Sequence, residues 1–409
     1  KKANLLNYKK HSAYVLKKNM AEKPEKVYEL LDQVWYAALH VAKKEAEMLQ
    51  EMIKKEGKDF KLASWDWWYY AEKLRKEKFD LSEEELRPYF SLEKVKKGIF
   101  DLTDKLYGLQ YKKLENMPVY HPNAEVYLVT EKDGKEIGIL YMDFYPRASK
   151  RGGAWMTTFR KQSRRNGENV MPVIQVVTNF SKPTGNKPAL LSYDEMLTFF
   201  HEFGHALHGL LSDCIYHKTS GTSVPRDFVE LPSQIMENWA AEPEVLKTFA
   251  IHYKTGDTIP DELIEKLKKS KHFNQGFTTV EYLAAALLDM DYHTLENTEE
   301  LDPQKFQQEF RKNRGVIPEI EIRYNSTYFN HIFAGGYSAG YYSYMWSEIL
   351  DSDAFEAFKK QGLYDQETAL AFRKNILEKG GTENPMKMYV DFRGKEPTIE
   401  ALLRKKGFL

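Results

Sequence analysis

The chain has 409 residues, 60 Lys and Arg against 60 Asp and Glu, a 42% hydrophobic fraction and one cysteine. Zero net charge excludes the basic field of an electrostatic nucleic-acid binder, and a lone Cys214 excludes an internal disulfide or a cysteine-rich zinc module. No run approaches the ~20 apolar residues of a membrane span, which excludes a membrane protein of that kind.

In chain order, the first hundred residues carry helical periodicity. From Pro24 to Glu56, apolar residues recur at three- and four-residue steps through Val27, Leu31, Val34, Ala38, Leu49 and Ile53, and Gly57 stops the run. The crowded Trp65, Trp67, Trp68, Tyr69 and Tyr70 predict a helix packing large aromatics into a core. Residues 118–180 alternate instead. Strands are expected over 124–131 and 137–145 with a turn between them, and a third over 171–180, with a glycine-bearing loop at 151–155. Helical periodicity returns at Ser192 and persists to the end. The expected fold class is mainly α: a large helical body with one small antiparallel sheet.

The helix opening at Ser192 has Glu195 three positions on, a capping-box pattern, and runs through His201-Glu202-Phe203-Gly204-His205. Spacing i, i+4 puts both imidazoles on one face, one turn apart, where they can reach a single ion. Glu202 sits beside the first ligand, placed to hold a water instead of the metal. A catalytic zinc needs a third protein ligand and an open position. Glu230 is the candidate, on a second helix read over 228–241 whose stripe also carries Asp227, Gln234 and Glu237. Asp227 or Glu237 is expected to accept a ring N–H from a ligand histidine. His208 reads as a core or supporting histidine, and Cys214 and His217 as structural.

These residues resemble the thimet oligopeptidase and neurolysin family of zinc peptidases. His201 to His205, Gly221-Thr222, Arg226 to Gln234 and Glu237-Asn238-Trp239 carry the resemblance. Pro225 to Phe228, residues 282–290, Trp65-Asp66-Trp67 and residues 151–156 point within it to the bacterial peptidyl-dipeptidases. The resemblance runs over nearly the whole chain but matches only the C-terminal part of the family's usual length, so one helical wall of the cleft is expected to be missing. It implies one catalytic unit over 1–409, one zinc per chain on His201, His205 and Glu230, and Glu202 as catalytic acid–base. Short peptides are the implied partners, with no nucleic acid and no membrane, and the acting form is expected to be a monomer. A cytoplasmic location is expected, with the periplasm as the alternative because the chain opens on Lys1 and not Met.

Residues 331–344 space glycines and tyrosines, a composition that lets backbone bend and offers hydroxyls to an oxyanion. By resemblance, His331, Tyr337 and Tyr344 bind substrate and stabilise the tetrahedral intermediate, with Tyr341 a secondary substrate contact; Tyr342 reads as core. Arg323 and Tyr324 are candidates for the free carboxylate of a substrate, and Arg226 reads as a buried structural partner. If the 171–180 strand lies at the sheet edge, it can pair with an extended peptide. The implied activity is release of dipeptides from free C-termini. The alternatives are an endo-acting oligopeptidase of the same family, a helical binding protein that keeps zinc for structure, or an inactive fragment.

Overall fold

The computed structural model describes residues 1–297 and 301–409. Pro24–Lys55 is one long helix, with Pro24 in the first turn where its missing N–H leaves nothing unsatisfied. Its apolar stripe, Val27, Leu31, Val34, Trp35, Ala38 and Ala42, is buried against the helix Gln275–Thr294. The approach is close enough that a Cβ on Gly276 would stand 2.3 Å from the Ala42 nitrogen. The helix Trp67–Phe79 completes this layer, but the aromatic cluster divides. Trp67 and Tyr70 are buried, whereas Trp65, Trp68 and Tyr69 are exposed, which corrects the expectation that all five pack inward. Helical geometry explains the split, because Tyr70, Ala71 and Leu74 share the Trp67 side of the helix and the intervening residues turn outward.

The sheet has five strands: β1 (Gln110–Lys113), β2 (Glu125–Thr130), β3 (Glu136–Asp143), β4 (Trp155–Arg160) and β5 (Val173–Val177), in the order β1-β2-β3-β5-β4. The β2–β3 hairpin falls where the alternation predicts it. Two expectations change. β5 pairs with β3 in parallel, so the sheet is mixed, and it lies inside the sheet with β4 on its other side. The edge beyond it is β4, which begins at the end of the loop read over 151–155. The run of β5, four of its five residues buried, reflects cover on both faces: Ile174 and Val176 lie in the core against the His201 helix, and Gln175 on the other face donates to the Tyr120 hydroxyl.

The helix Tyr193–Leu210 lies across this sheet, its start capped by reciprocal bonds between Ser192 and Glu195. Against its other side packs Leu231–Ala241. The expected continuous 228–241 helix is broken. A single turn, Arg226–Val229, is followed by Glu230 and then the helix proper. Pro232 explains the break, since it offers no N–H to the Phe228 carbonyl that a continuous helix would pair with it.

Gly204 sets the distance between these two helices. A Cβ there would meet the Pro232 carbonyl oxygen at 2.1 Å and the Ser233 Cα at 2.6 Å, and neither is a movable side-chain tip. Helix propensity favours Ala over Gly by about 1 kcal/mol. Overpacking against backbone costs about 1–3 kcal/mol and wins. Gly204→Ala is therefore expected to lower stability by about 2 kcal/mol, read as a fall in the midpoint of thermal or urea unfolding; an unchanged or raised midpoint would contradict the packing argument.

Two hydrophobic cores result. One joins the sheet to the His201 helix and its neighbours; the other lies between Pro24–Lys55, Trp67–Phe79 and Gln275–Thr294. The helix Ser343–Gln361 serves both, with Met345 and Ile349 in the second and Leu350, Ala354, Phe355 and Phe358 in the first. Among the described residues no helix is long and apolar enough to cross a membrane.

Candidate metal centre

His201 and His205 project from one face of Tyr193–Leu210, their ring centroids 5.1 Å apart. The break before Leu231 turns the Glu230 carboxylate toward them. Its Oε2 lies 3.3 Å from His201 Nε2 and 3.0 Å from His205 Nε2. One donor atom from each of the three lies within 4.8 Å of the others, the only such cluster among the described residues. Two imidazole nitrogens and one carboxylate oxygen make the donor set zinc takes in catalytic sites, and three protein ligands leave a coordination position open. The residues fit the metal.

The electrostatics agree. Burial works against the Glu230 charge, but both imidazoles beside it overcome that and hold its carboxyl well below the usual range. Ser233 Oγ donates to the same Oε2 at 2.9 Å, fixing the carboxylate. Burial opposes protonation of His201, yet Glu230 and Glu237 together raise it well above the ordinary imidazole value. Metal entry must displace that proton, so binding is expected to release protons.

Of the two candidates for the outer partner of a ligand histidine, Glu237 is the one in place. Its Oε1 lies 2.6 Å from His201 Nδ1, which assigns the proton to Nδ1 and leaves Nε2 for the metal. Asp227 is not. Its buried carboxylate accepts the backbone N–H groups of Met20 and Ala21 and the Tyr342 hydroxyl. The helix break separates it from the Glu230 stripe, and its task is to tie the 226–229 turn to the N-terminal segment. Tyr342 is core, as expected, at 0% exposed. His208 is buried with neither ring nitrogen bonded among the described residues, and burial lowers it to about 3, so it stays neutral.

Glu202 is 6% exposed and holds its Oε2 without a partner among the described residues. Burial raises its pKa, opposed by His201 and His205 and by the backbone N–H of Met156 on β4. The edge strand therefore runs beside this carboxylate.

The glycine–tyrosine segment comes to the same place. Tyr344 donates to the Tyr337 hydroxyl at 3.2 Å, and the two rings stack with centroids 5.9 Å apart. Burial first and the Glu230 charge second raise the Tyr344 pKa, so its hydroxyl keeps its proton. His331 is half-buried, its ring 5.9 Å from that of Tyr337, and its Nδ1 has no partner among the described residues. Tyr341, expected as a secondary substrate contact, is 4% exposed and packs edge-on against His331 and Phe329. Arg323 is exposed beside Tyr324 and 3.7 Å from Glu281. Arg226, read as a buried structural partner, is half-buried with its guanidinium over the Tyr337 ring at 4.2 Å. That stacking joins two distant stretches of chain, and no local spacing announces it.

Comparison with known sequences identifies the family, and comparison with solved structures the fold. The profile of Peptidase family M3 matches residues 1–408. The dipeptidyl carboxypeptidase of Escherichia coli (strain K12) is 41% identical over 409 residues, covering 99% of this chain and 60% of that protein. Oligopeptidase A of Salmonella typhimurium is 37% identical over 413 residues, covering 99% and 60%. The chain thus spans about 60% of the length of the curated relatives it matches. Among solved structures, Trypanosoma cruzi metallocarboxypeptidase 1 shares the fold with a TM-score of 0.53 at 11% identity, covering 97% of this chain and 72% of that one. A Pyrococcus furiosus carboxypeptidase does so with a TM-score of 0.52 at 15% identity, covering 97% and 69%. With a profile match from the first residue to the penultimate one, on a helical fold shared with metallocarboxypeptidases, the chain belongs to peptidase family M3.

Proposed function

We propose that the chain hydrolyses peptide bonds with one zinc ion held by His201, His205 and Glu230, and that it releases dipeptides from free C-termini. The observation that carries this reading is the convergence of those three donors beside a buried carboxylate, Glu202, whose Oε2 is left free. A zinc ion held there supplies Lewis acidity to water and to the scissile carbonyl. Glu202 takes the proton of the attacking water and returns it to the leaving amine; its raised pKa suits a group that must do both. Tyr337, backed by Tyr344, donates to the carbonyl oxygen as it becomes anionic, with His331 assisting. Glu237 holds the His201 ring in its ligating tautomer. The exposed edge of β4, next to Glu202, accepts the peptide as an added strand, the task first expected of the 171–180 strand.

Dipeptide release is favoured by the dipeptidyl carboxypeptidase relative at 41% identity, against 36–39% for the relatives named oligopeptidase A. Arg323 is the proposed contact for the substrate's free carboxylate. The proposed compartment is the cytoplasm, which a single buried free cysteine fits, and the proposed acting form is a monomer. Comparing a free-acid peptide with its C-terminally amidated form tests the reading. Loss of two residues at a time from the free acid, with the amide resistant, is expected; equal internal cleavage of both would assign the endo-acting alternative.

Tyr337→Phe deletes one hydroxyl and keeps the ring stacked between Tyr344 and Arg226. It is expected to lower kcat by about 10²–10³-fold with little change in KM, measured on the same peptide. Wild-type kcat would remove Tyr337 from the mechanism.

A further inference from the structure

We infer that Asp289 is a positioning residue of this site, its buried carboxylate fixing the 335–341 backbone and through it the Tyr337 hydroxyl. The inference rests on the proposed role of Tyr337 for its catalytic consequence and on geometry alone for the positioning.

Asp289 lies on Gln275–Thr294 and is 0% exposed. Its two oxygens accept three successive backbone N–H groups, those of Ala339, Gly340 and Tyr341, each at 2.9 Å. Ala339 has φ +50°, a left-handed conformation that a residue with a Cβ adopts only when its surroundings impose it. Successive N–H groups around such a residue form a concave nest for an anion, and here the protein's own carboxylate fills it with charge-assisted bonds. Such a backing is needed, because Gly335, Gly336 and Gly340 leave the segment little stiffness of its own. The other end is held by bonds from the Tyr337 N–H to the His331 carbonyl at 2.9 Å and from the Gly335 N–H to the Asn330 carbonyl at 2.7 Å. Tyr337 thus stands between a fixed His331 and a fixed Ala339.

The carboxylate is itself oriented. His293 Nδ1 lies 2.7 Å from its Oδ1. The His293 ring packs against His11, whose Nε2 is 2.9 Å from Ser338 Oγ on the same segment. None of these groups lies among the metal donors, and each of them meets the tyrosine segment at Ser338 or Ala339.

The test uses Asp289→Asn, which keeps the shape but replaces one acceptor oxygen with a donor, in the zinc-loaded chain. Amide hydrogen exchange at residues 339–341 is expected to accelerate at least about tenfold, reflecting the lost acceptor. Zinc stays at one per chain, and kcat falls about 10–100-fold, the scale of a displacement near 1 Å, with KM little changed. In a Tyr337→Phe background the same substitution is expected to cost less than about threefold more, because the group it positions is already gone. His293→Gln, which leaves the carboxylate and removes its orienting partner, moves exchange and kcat in the same direction and serves if Asp289→Asn does not fold. Unchanged exchange at 339–341, wild-type kcat in a folded variant, or an equal loss in the Tyr337→Phe background would each overturn the inference. If Tyr337→Phe alone keeps full kcat, the proposed role of Tyr337 fails, while exchange and the kcat of Asp289→Asn still decide the role of Asp289.

Discussion

Glu202→Gln is expected to lower turnover of a peptide by about 10²–10⁴-fold with zinc still bound at one per chain. The substitution keeps size and hydrogen-bonding shape and removes only the capacity to take and return a proton. Glu202 is outside the cluster of His201, His205 and Glu230, so the metal does not depend on it. Its burial at 6% exposed, which raises its pKa, makes the charged form costly to keep. The amide should therefore leave folding stability unchanged or slightly improved. Turnover, bound zinc and unfolding midpoint measured on one preparation separate a chemical role from a structural one. A parallel loss of zinc and activity would make Glu202 a ligand and contradict the assignment.

Glu230→Ala is expected to abolish activity by a different route. Glu230 supplies the only negative charge in the donor set and sits 4% exposed between two imidazoles. Loss of an outer partner of a ligand costs about 10–100-fold in metal affinity, and loss of a charged ligand is expected to exceed that. The consequence reaches stability, because zinc bound at 100 times its Kd stabilises the fold by about 2.7 kcal/mol. Chelation should lower the unfolding midpoint of the wild-type chain and leave that of Glu230→Ala unmoved. A variant still stabilised by micromolar zinc would show that Glu230 is not a ligand.

How much of this was visible in the sequence depended on how local the geometry is. The Ser192–Glu195 cap and the His201–His205 pair lie within one or two turns of a single helix, where spacing dictates direction. The β2–β3 hairpin is equally local. Contacts between elements leave a weaker trace. A stripe reading placed Asp227 beside Glu237, but Pro232 breaks the helix and sends Asp227 to Met20, Ala21 and Tyr342. β5 was a candidate edge strand, yet only the pairing order shows that β4 lies outside it. Tyr337 and Tyr341 look alike in sequence; one reaches Tyr344 and the other is packed beneath His331, because a left-handed Ala339 falls between them. The Asp289 bonds that hold that turn run from a helix to a loop and leave no periodic trace.

In the proposed function three side chains hold the one zinc that peptide hydrolysis requires. Titrating zinc into chelator-treated chain, while following bound metal and cleavage of a free-acid peptide together, tests it most directly. No cleavage is expected without metal, and activity should rise in proportion to bound zinc with a break at one per chain. Cleavage by the metal-free chain, or saturation at one zinc with no hydrolysis, would contradict it.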